Sequence, residues 1–388
     1  MMRILTASTE NIDDQVAAID EIKAQLDLEQ TLLKNSVGIV ACHYEFVISG
    51  TAKAIIESLP FDVAGTNSSL QAVNNAKGTL LFTLMVFTSD DASFKTVLTP
   101  SLRGGVLEKK IADAYGAAAS DREEKPALIF AFAPFMVENS GDDYVRILSK
   151  VSGDVPCFGT LAVDDTPDFR ECYMLFNGGH YKDKMSLILV YGNISPKFYL
   201  ATISENKLLD RAALVTSSEG HILKEVNGRP VVEYFEDMGL TKASETSYAM
   251  TSLPFMLDYG DGTPPVSKVF IGLNAQKHAI CAGAMPEGST MYLGVFDKED
   301  VLLTSGNLIK KALEETVSPS VIIGYSCISR SMTLGSDLFA EINLVLGEIA
   351  PNTPLLFAYS GGEMCPTQIN PKAAINRFHN NTFILCIF

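Results

Sequence analysis

Basic side chains are scarce in this sequence of 388 residues: 30 Lys and Arg stand against 46 Asp and Glu, a formal charge of -16. Such a surface repels phosphate backbones and anionic lipid over roughly a Debye length of about 8 Å, so nucleic acid and membrane are excluded as expected partners. Long apolar runs are missing too. No stretch approaches the ~20 residues of a membrane span, and the N-terminal MMRILTASTENIDD turns acidic before it reaches signal-peptide length. The expectation is a cytoplasmic protein. Cysteine pairs are absent as well: the seven cysteines, at 42, 157, 172, 281, 327, 365 and 386, include no C-x-x-C and sit mostly inside apolar runs, which suits buried thiols in a reducing compartment rather than disulfides or zinc. No H-E-x-x-H spacing occurs among the scattered histidines, so neither a metal nor a cofactor is expected.

Low-complexity tracts, Pro-rich linkers and charge blocks are likewise lacking. What is present is a pattern that comes round three times. The first copy reads VGIVACHYEF (37–46), a helical SGTAKAIIESLP (49–60), FDVAGTNSS (61–69) and KGTLLFTLMVF (77–87). The second reads PALIFAFAPF (126–135), GDDYVRILSKVSG (141–153), DVPCFGTLAVDD (154–165) and DKMSLILVY (183–191). The third reads PSVIIGYSCISR (319–330), GSDLFAEINLVLGEIA (335–350), NTPLLFAYSGGE (352–363) and FHNNTFILCIF (378–388). Apolar runs of strand length flanking segments with i, i+3, i+4 spacing predict right-handed crossovers between parallel strands. The fold class expected is α/β, with mixed sheets built from three recurring strand-helix-strand-strand units in two sub-domains. Pro196 breaks the last strand of the second copy, placing a boundary near Ile194 to Lys197 and dividing the chain into 1–195 and 196–388. Between copies two and three the texture changes. Asn227-Gly228 marks a tight turn, Pro230 the first residue of a helix, and Pro286-Glu287-Gly288 a turn between strands.

Parallel pairing of the GYSC and FAYS strands would place Ser326, Cys327 and Arg330 at one sheet edge with Ser360, Gly361, Gly362 and Glu363. An antiparallel last strand would begin there with His379 and Asn380. In open α/β sheets ligands bind beyond the carboxyl ends of the strands. A guanidinium holds a carboxylate, a glutamate takes an ammonium, and glycine-flanked N–H groups allow close approach, so the cluster suits a small polar metabolite such as an amino acid. Other readings stand beside this one. Arg330 and Glu363 would pair with each other in the absence of a ligand. Gly361-Gly362 lacks the Lys-Ser or Lys-Thr of a phosphate loop and reads as a tight strand exit. Cys327, with His379 as its base, would make a thiol-dependent hydrolase or transferase, whereas a small buried residue is the more frequent fate of such a cysteine. Asp164-Asp165 is a second polar site or a solvated turn.

GYSC-x-x-R with its following glycine (324–330, then 335), PLLFAYSGGE (354–363), FHNNT (378–382), the segment 286–313 and the NGRPVVEYFEDMGL turn and helix resemble the C-terminal half of the FIST domain, and FDVAGTNSS and VPCFGTLAVDD its N-terminal half. The resemblance covers nearly the whole chain. It implies a signal-transduction sensory module that binds small molecules, amino acids in particular, and it implies binding rather than catalysis. The module takes up the chain, so a separate signalling partner is expected to receive the signal. In the first unit, Asn67, Ser68 and Ser69 fill the place of the family's glycine-proximal acid. The ligand contacts implied are therefore those of the third unit: Ser326, Cys327, Arg330, Ser360, Gly361, Glu363, His379 and Asn380.

Overall fold

Central strands such as Leu128–Ala133 and Ser186–Tyr191 are buried at every position because both of their faces are covered. The computed structural model describes residues 2–136, 138–166, 168–239, 254–370 and 373–388. Unit one comprises β1 (Met2–Thr9), α1 (Gln15–Leu26), β2 (Asn35–Cys42), α2 (Thr51–Glu57), β3 (Asp62–Asn67), a hairpin of β4 (Gln71–Val73) and β5 (Ala76–Gly78), and β6 (Phe82–Ser89). Unit two repeats the order with β7 (Ser93–Leu98), α3 (Leu107–Ala119), β8 (Leu128–Ala133), α4 (Gly141–Ser152), β9 (Cys157–Leu161), the hairpin β10 (Met174–Phe176) and β11 (Gly179–Tyr181), and β12 (Ser186–Tyr191). Unit three follows with β13 (Lys197–Ala201), α5 (Lys298–Glu315), β14 (Ile322–Cys327), α6 (Ala340–Glu348), β15 (Leu355–Ser360), the hairpin β16 (Glu363–Asn370) and β17 (Ala373–His379), and β18 (Phe383–Ile387). The α/β class and the threefold recurrence are thus as the sequence implies. In every unit the two crossover strands are parallel, and the last strand pairs antiparallel with the first of them.

The segment before each last strand has no counterpart among the strands and helices read from the sequence. It is a hairpin, and it completes the sheet of another unit. Hairpin β4–β5 pairs with β15 of unit three, β10–β11 with β3 of unit one, and β16–β17 with β9 of unit two. The three sheets therefore share one strand order and interlock in a ring. Their inner faces meet in a common core: Ile39 and Met85 from the first, Phe130 and Phe158 from the second, and Ile323, Tyr325 and Ile384 from the third. Alternate residues of the same strands, such as Val40, Ile129 and Ile322, face the helices outside. Each such large side chain contributes about 1.5–3 kcal/mol by leaving water.

Two corrections follow from the exchange. First, FHNNTFILCIF is two strand ends rather than one strand: His379 closes β17, Asn381 turns with φ 51°, and β18 begins at Phe383. Second, Gly361-Gly362 is not the counterpart of Gly65 and Gly159. Those two lie within β3 and β9, where a Cβ would run into the Val40 and Ala131 carbonyls, and the corresponding place on β15 holds Ala358. The glycine pair instead lies where the chain leaves one sheet for the next. Gly361 N donates to Leu161 O (3.0 Å), Leu161 N donates to Gly362 O (3.0 Å), and Gly362 has φ +141°. A side chain on Gly362 would strike the Phe378 ring, so only glycine fits the crossing.

Between β13 and α5 an antiparallel sheet of eight short strands is inserted, with its own core around Phe235, Phe255 and Phe270. Asn227 and Gly228 take the left-handed conformation expected at its tight turn (φ 54° and 73°), and Gly288 (φ 84°) closes the later one. Pro230 caps the helix Val231–Asp237 rather than opening it; Leu240, at the end of that stretch, lies outside the described residues. The insert is pinned to unit two by Lys268, whose fully buried ammonium donates to both Asp142 carboxylate oxygens (3.0 and 2.8 Å) and to Phe378 O (2.8 Å). All seven cysteines are free and buried. Among the described residues no helix is long and apolar enough to cross a membrane.

Candidate functional site

At the carboxyl edge of the third sheet, β14 ends in Ser326 and Cys327 and passes directly into a short helix, Ile328–Leu334, that carries Arg330. The guanidinium turns away from Glu363. Its Nε donates to Glu341 Oε1 on α6 (2.9 Å), one terminal nitrogen donates to Val301 O (3.0 Å) and Ser305 Oγ (2.6 Å), and it stands 5.5 Å from the Phe296 ring centre. Glu341 accepts further from Ser305 Oγ (2.5 Å), Ser326 Oγ (2.8 Å) and Tyr359 OH (2.9 Å). Arg330 and Glu341 are both 0% exposed. A buried pair survives only when its remaining donors and acceptors are met, as here. The pairing considered for Arg330 with Glu363 is therefore corrected. The partner is Glu341, which the sequence reading passed over although it shares the apolar helix face of Val345, four residues on.

Cys327, Ser360, Glu363 and Asn380 form a second buried group. Ser360 Oγ donates to Glu363 Oε1 and accepts from Gly362 N (3.2 Å), while Cys327 lies beside the same carboxylate. Glu363 Oε2 and Asn380 Oδ1 have no hydrogen-bond partner. Burial pushes the Glu363 carboxyl well above its ordinary value. Burial, reinforced by the Glu363 charge, also pushes the Cys327 thiol up to about 12. Gly361 sits behind this group at the sheet crossing. His379 does not join it: its Nε2 meets Thr367 Oγ1 at 3.1 Å, and burial, aided by the Lys268 charge, lowers its pKa to about 3. The ring is a neutral imidazole within sheet two. The register sets His379 directly opposite Glu363 across β16 and β17, and it is the direction of the ring, toward Thr367, that takes the imidazole away from Cys327.

An open cavity lies just beyond, where the carboxyl ends of all three units meet. It holds about 210 Å³ and is lined by Ser69 of unit one, Asp164, Asp165 and Phe169 of unit two, and Ile328 and Ser331 of unit three, among others. Asp164 builds the turn: Oδ1 accepts from Thr166 N and Oγ1 (2.7 Å each), and Oδ2 from Glu171 N. Asp165 stands half-exposed with Oδ2 3.3 Å from His43 Nε2. The Ser69 hydroxyl, on a residue 6% exposed, has no partner. Of the cleft residues the sequence reading weighed only the Asp164-Asp165 pair. Its two alternatives divide between the residues, Asp164 serving the turn and Asp165 facing the cleft. Among the described residues no group of three His, Cys, Asp or Glu side chains is placed to hold a metal.

A ring of three interlocked α/β units with a cleft at their shared strand ends defines the class of architecture. The chain belongs to the FIST family: the FIST N domain matches residues 36–229 and the FIST C domain residues 231–366. FIST domains are a signal-transduction sensory family. No curated protein matches the sequence. Among solved structures, a cyanuric acid hydrolase from A. caulinodans is similar at 9% identity and a TM-score of 0.40, over 100% of this chain and 99% of that one. PurLQS from Thermotoga maritima is similar at 9% identity and a TM-score of 0.21, over 100% of this chain and 72% of that one. Likenesses this faint carry no functional weight.

Proposed function

We propose that this chain is a cytoplasmic sensory module that binds a small polar metabolite, an amino acid or a related amine-bearing compound, in the cleft between its three units. The observation that supports this most is the Ser69 hydroxyl, buried at the cleft wall with no hydrogen-bond partner. A buried polar group without a partner costs about 1–3 kcal/mol, which a ligand recovers by bonding to it. Ile328 and Ser331 line the cleft on the short helix that also holds Arg330 and follows directly on Cys327. A ligand pressing on that helix is therefore felt by both buried groups behind it. In this reading Ser326 and Arg330 brace the helix, while Cys327, Ser360, Gly361, Glu363 and Asn380 form the responsive floor. His379 stands outside. A separate partner protein would read the result. Cysteine chemistry finds less support, since a thiol raised to about 12 with no imidazole beside it lacks both ionisation and a base.

A thermal-shift screen of amino acids, amines and related metabolites against the ligand-free full chain tests the reading. A ligand at ~100 times its Kd adds about 2.7 kcal/mol of stability. No stabiliser across a broad panel would sink the proposal.

A further inference from the structure

The walls of the cleft differ in one respect from what an amino acid needs. Two carboxylates, Asp164 and Asp165, line it, and among its lining residues there is no lysine or arginine. The remaining wall is largely apolar, with Leu70, Phe169, Ile328 and Met332. Both oxygens of Asp164 are taken by its own turn. Asp165 is held differently. His43 Nδ1 accepts from Glu45 N (3.3 Å), which leaves the ring proton on Nε2 to be donated to Asp165 Oδ2 (3.3 Å). The buried imidazole thus orients the carboxylate, and Oδ1 has no hydrogen-bond partner among the described residues. Ser69 supplies a second, independent unmet group, a hydroxyl buried at the same wall.

We propose that this cleft selects a monocationic primary amine with a short apolar tail, and rejects the amino acid that carries the same side chain. The proposal rests on the sensory reading above and narrows its ligand. An ammonium has three N–H groups; Asp165 Oδ1 and the Ser69 hydroxyl accept two of them, and the apolar wall receives the tail. An α-carboxylate on the same ligand would sit against Asp164 and Asp165 with no cation to answer it. Like charges within a few ångströms in a partly desolvated site repel far more than they do in water. The volume, about 210 Å³, falls below the ~300–1,000 Å³ of drug-sized sites and suits a small amine.

The experiment compares isoamylamine and phenethylamine with leucine and phenylalanine, by calorimetry and thermal shift on the full chain. The amines should bind at least tenfold more tightly than the amino acids of matching side chain. Asp165→Asn should weaken amine binding at least tenfold. Its side chain is 50% exposed, so the fold has little reason to suffer. Ser69→Ala should weaken binding by a few-fold, and Asp113→Asn, an equal charge change on the exposed face of α3, should leave it as it was. Equal affinity for amines and amino acids, or an Asp165→Asn protein that binds amines like the parent, would overturn the proposal. If no amine binds but another metabolite stabilises the chain, the amine proposal fails and the sensory reading stands. A wholly flat panel removes both.

Discussion

Two glutamates at the same sheet edge, both fully buried, meet opposite fates. Glu341 is surrounded by donors: the Arg330 guanidinium, two serine hydroxyls and a tyrosine. Glu363 has the Ser360 hydroxyl on one oxygen and nothing on the other. Burial is the same and satisfaction is not. A carboxylate with a charged partner and full hydrogen bonding serves as a fixed joint between β14, α5 and α6, whereas burial without them pushes a carboxyl toward its protonated form.

Breaking the first arrangement should have the largest effect. Arg330→Met leaves Glu341 charged and uncompensated, and should cost about 3–5 kcal/mol in denaturant unfolding. A loss under about 1 kcal/mol would mean the joint bears little of the fold.

Relieving the second should act the other way. Glu363→Gln removes the cost of taking an ionisable carboxyl out of water on folding, and should stabilise the chain by about 1–2 kcal/mol at neutral pH. The pH dependence sharpens the contrast. The Glu363 value is raised on folding, so its contribution is fully present below the ordinary carboxylate value of about 4.3 and is lost as pH rises through the raised one. His379, lowered to about 3, works in the opposite sense: its contribution is present above about 6.5 and is lost as pH falls toward 3. Between about 4.3 and 6.5 the two slopes oppose each other. Glu363→Gln should uncover the His379 slope, so that stability climbs more steeply with pH there than in the parent. Parallel curves for parent and variant would place the Glu363 proton elsewhere.

The smallest effect expected is on reactivity. With its thiol raised to about 12 and only 3% of the residue exposed, Cys327 should resist iodoacetamide at neutral pH until the chain unfolds. Rapid labelling in the native state, located by peptide mass analysis, would show that the floor under the short helix opens.

Much of the architecture was legible in the residues. Continuous apolar runs such as LIFAFA and helical spacing such as YVRILSKV mark strand, helix and crossover, since both periodicities are local. The site was legible only in part. Ser326, Cys327, Arg330, Ser360 and Glu363 do gather at one edge, because parallel pairing follows from the crossover. Glu341 escapes a sequence reading as the partner of Arg330 because it is a lone carboxylate on the buried face of its helix, beside Ile342 and Val345. His379 lies elsewhere than the sequence implies because its strand, β17, joins the sheet of unit two while β18 joins that of unit three. The cleft draws Ser69, Asp165 and Ser331 from three units that lie far apart in the chain.

The sequence by itself determined the three strand-helix-strand units, their parallel crossovers, the buried thiols and the turn positions, each set by the period of its side chains or the conformational freedom of a glycine. Tertiary structure alone decided which sheet each hairpin completes. Backbone donors and acceptors are the same on every open edge, so a hairpin such as QAVNNAKG carries no local mark of its partner. That choice falls to the packing of three sheets around one core. With it come the sealing of Glu363, the placing of His379 and the shape of the cleft.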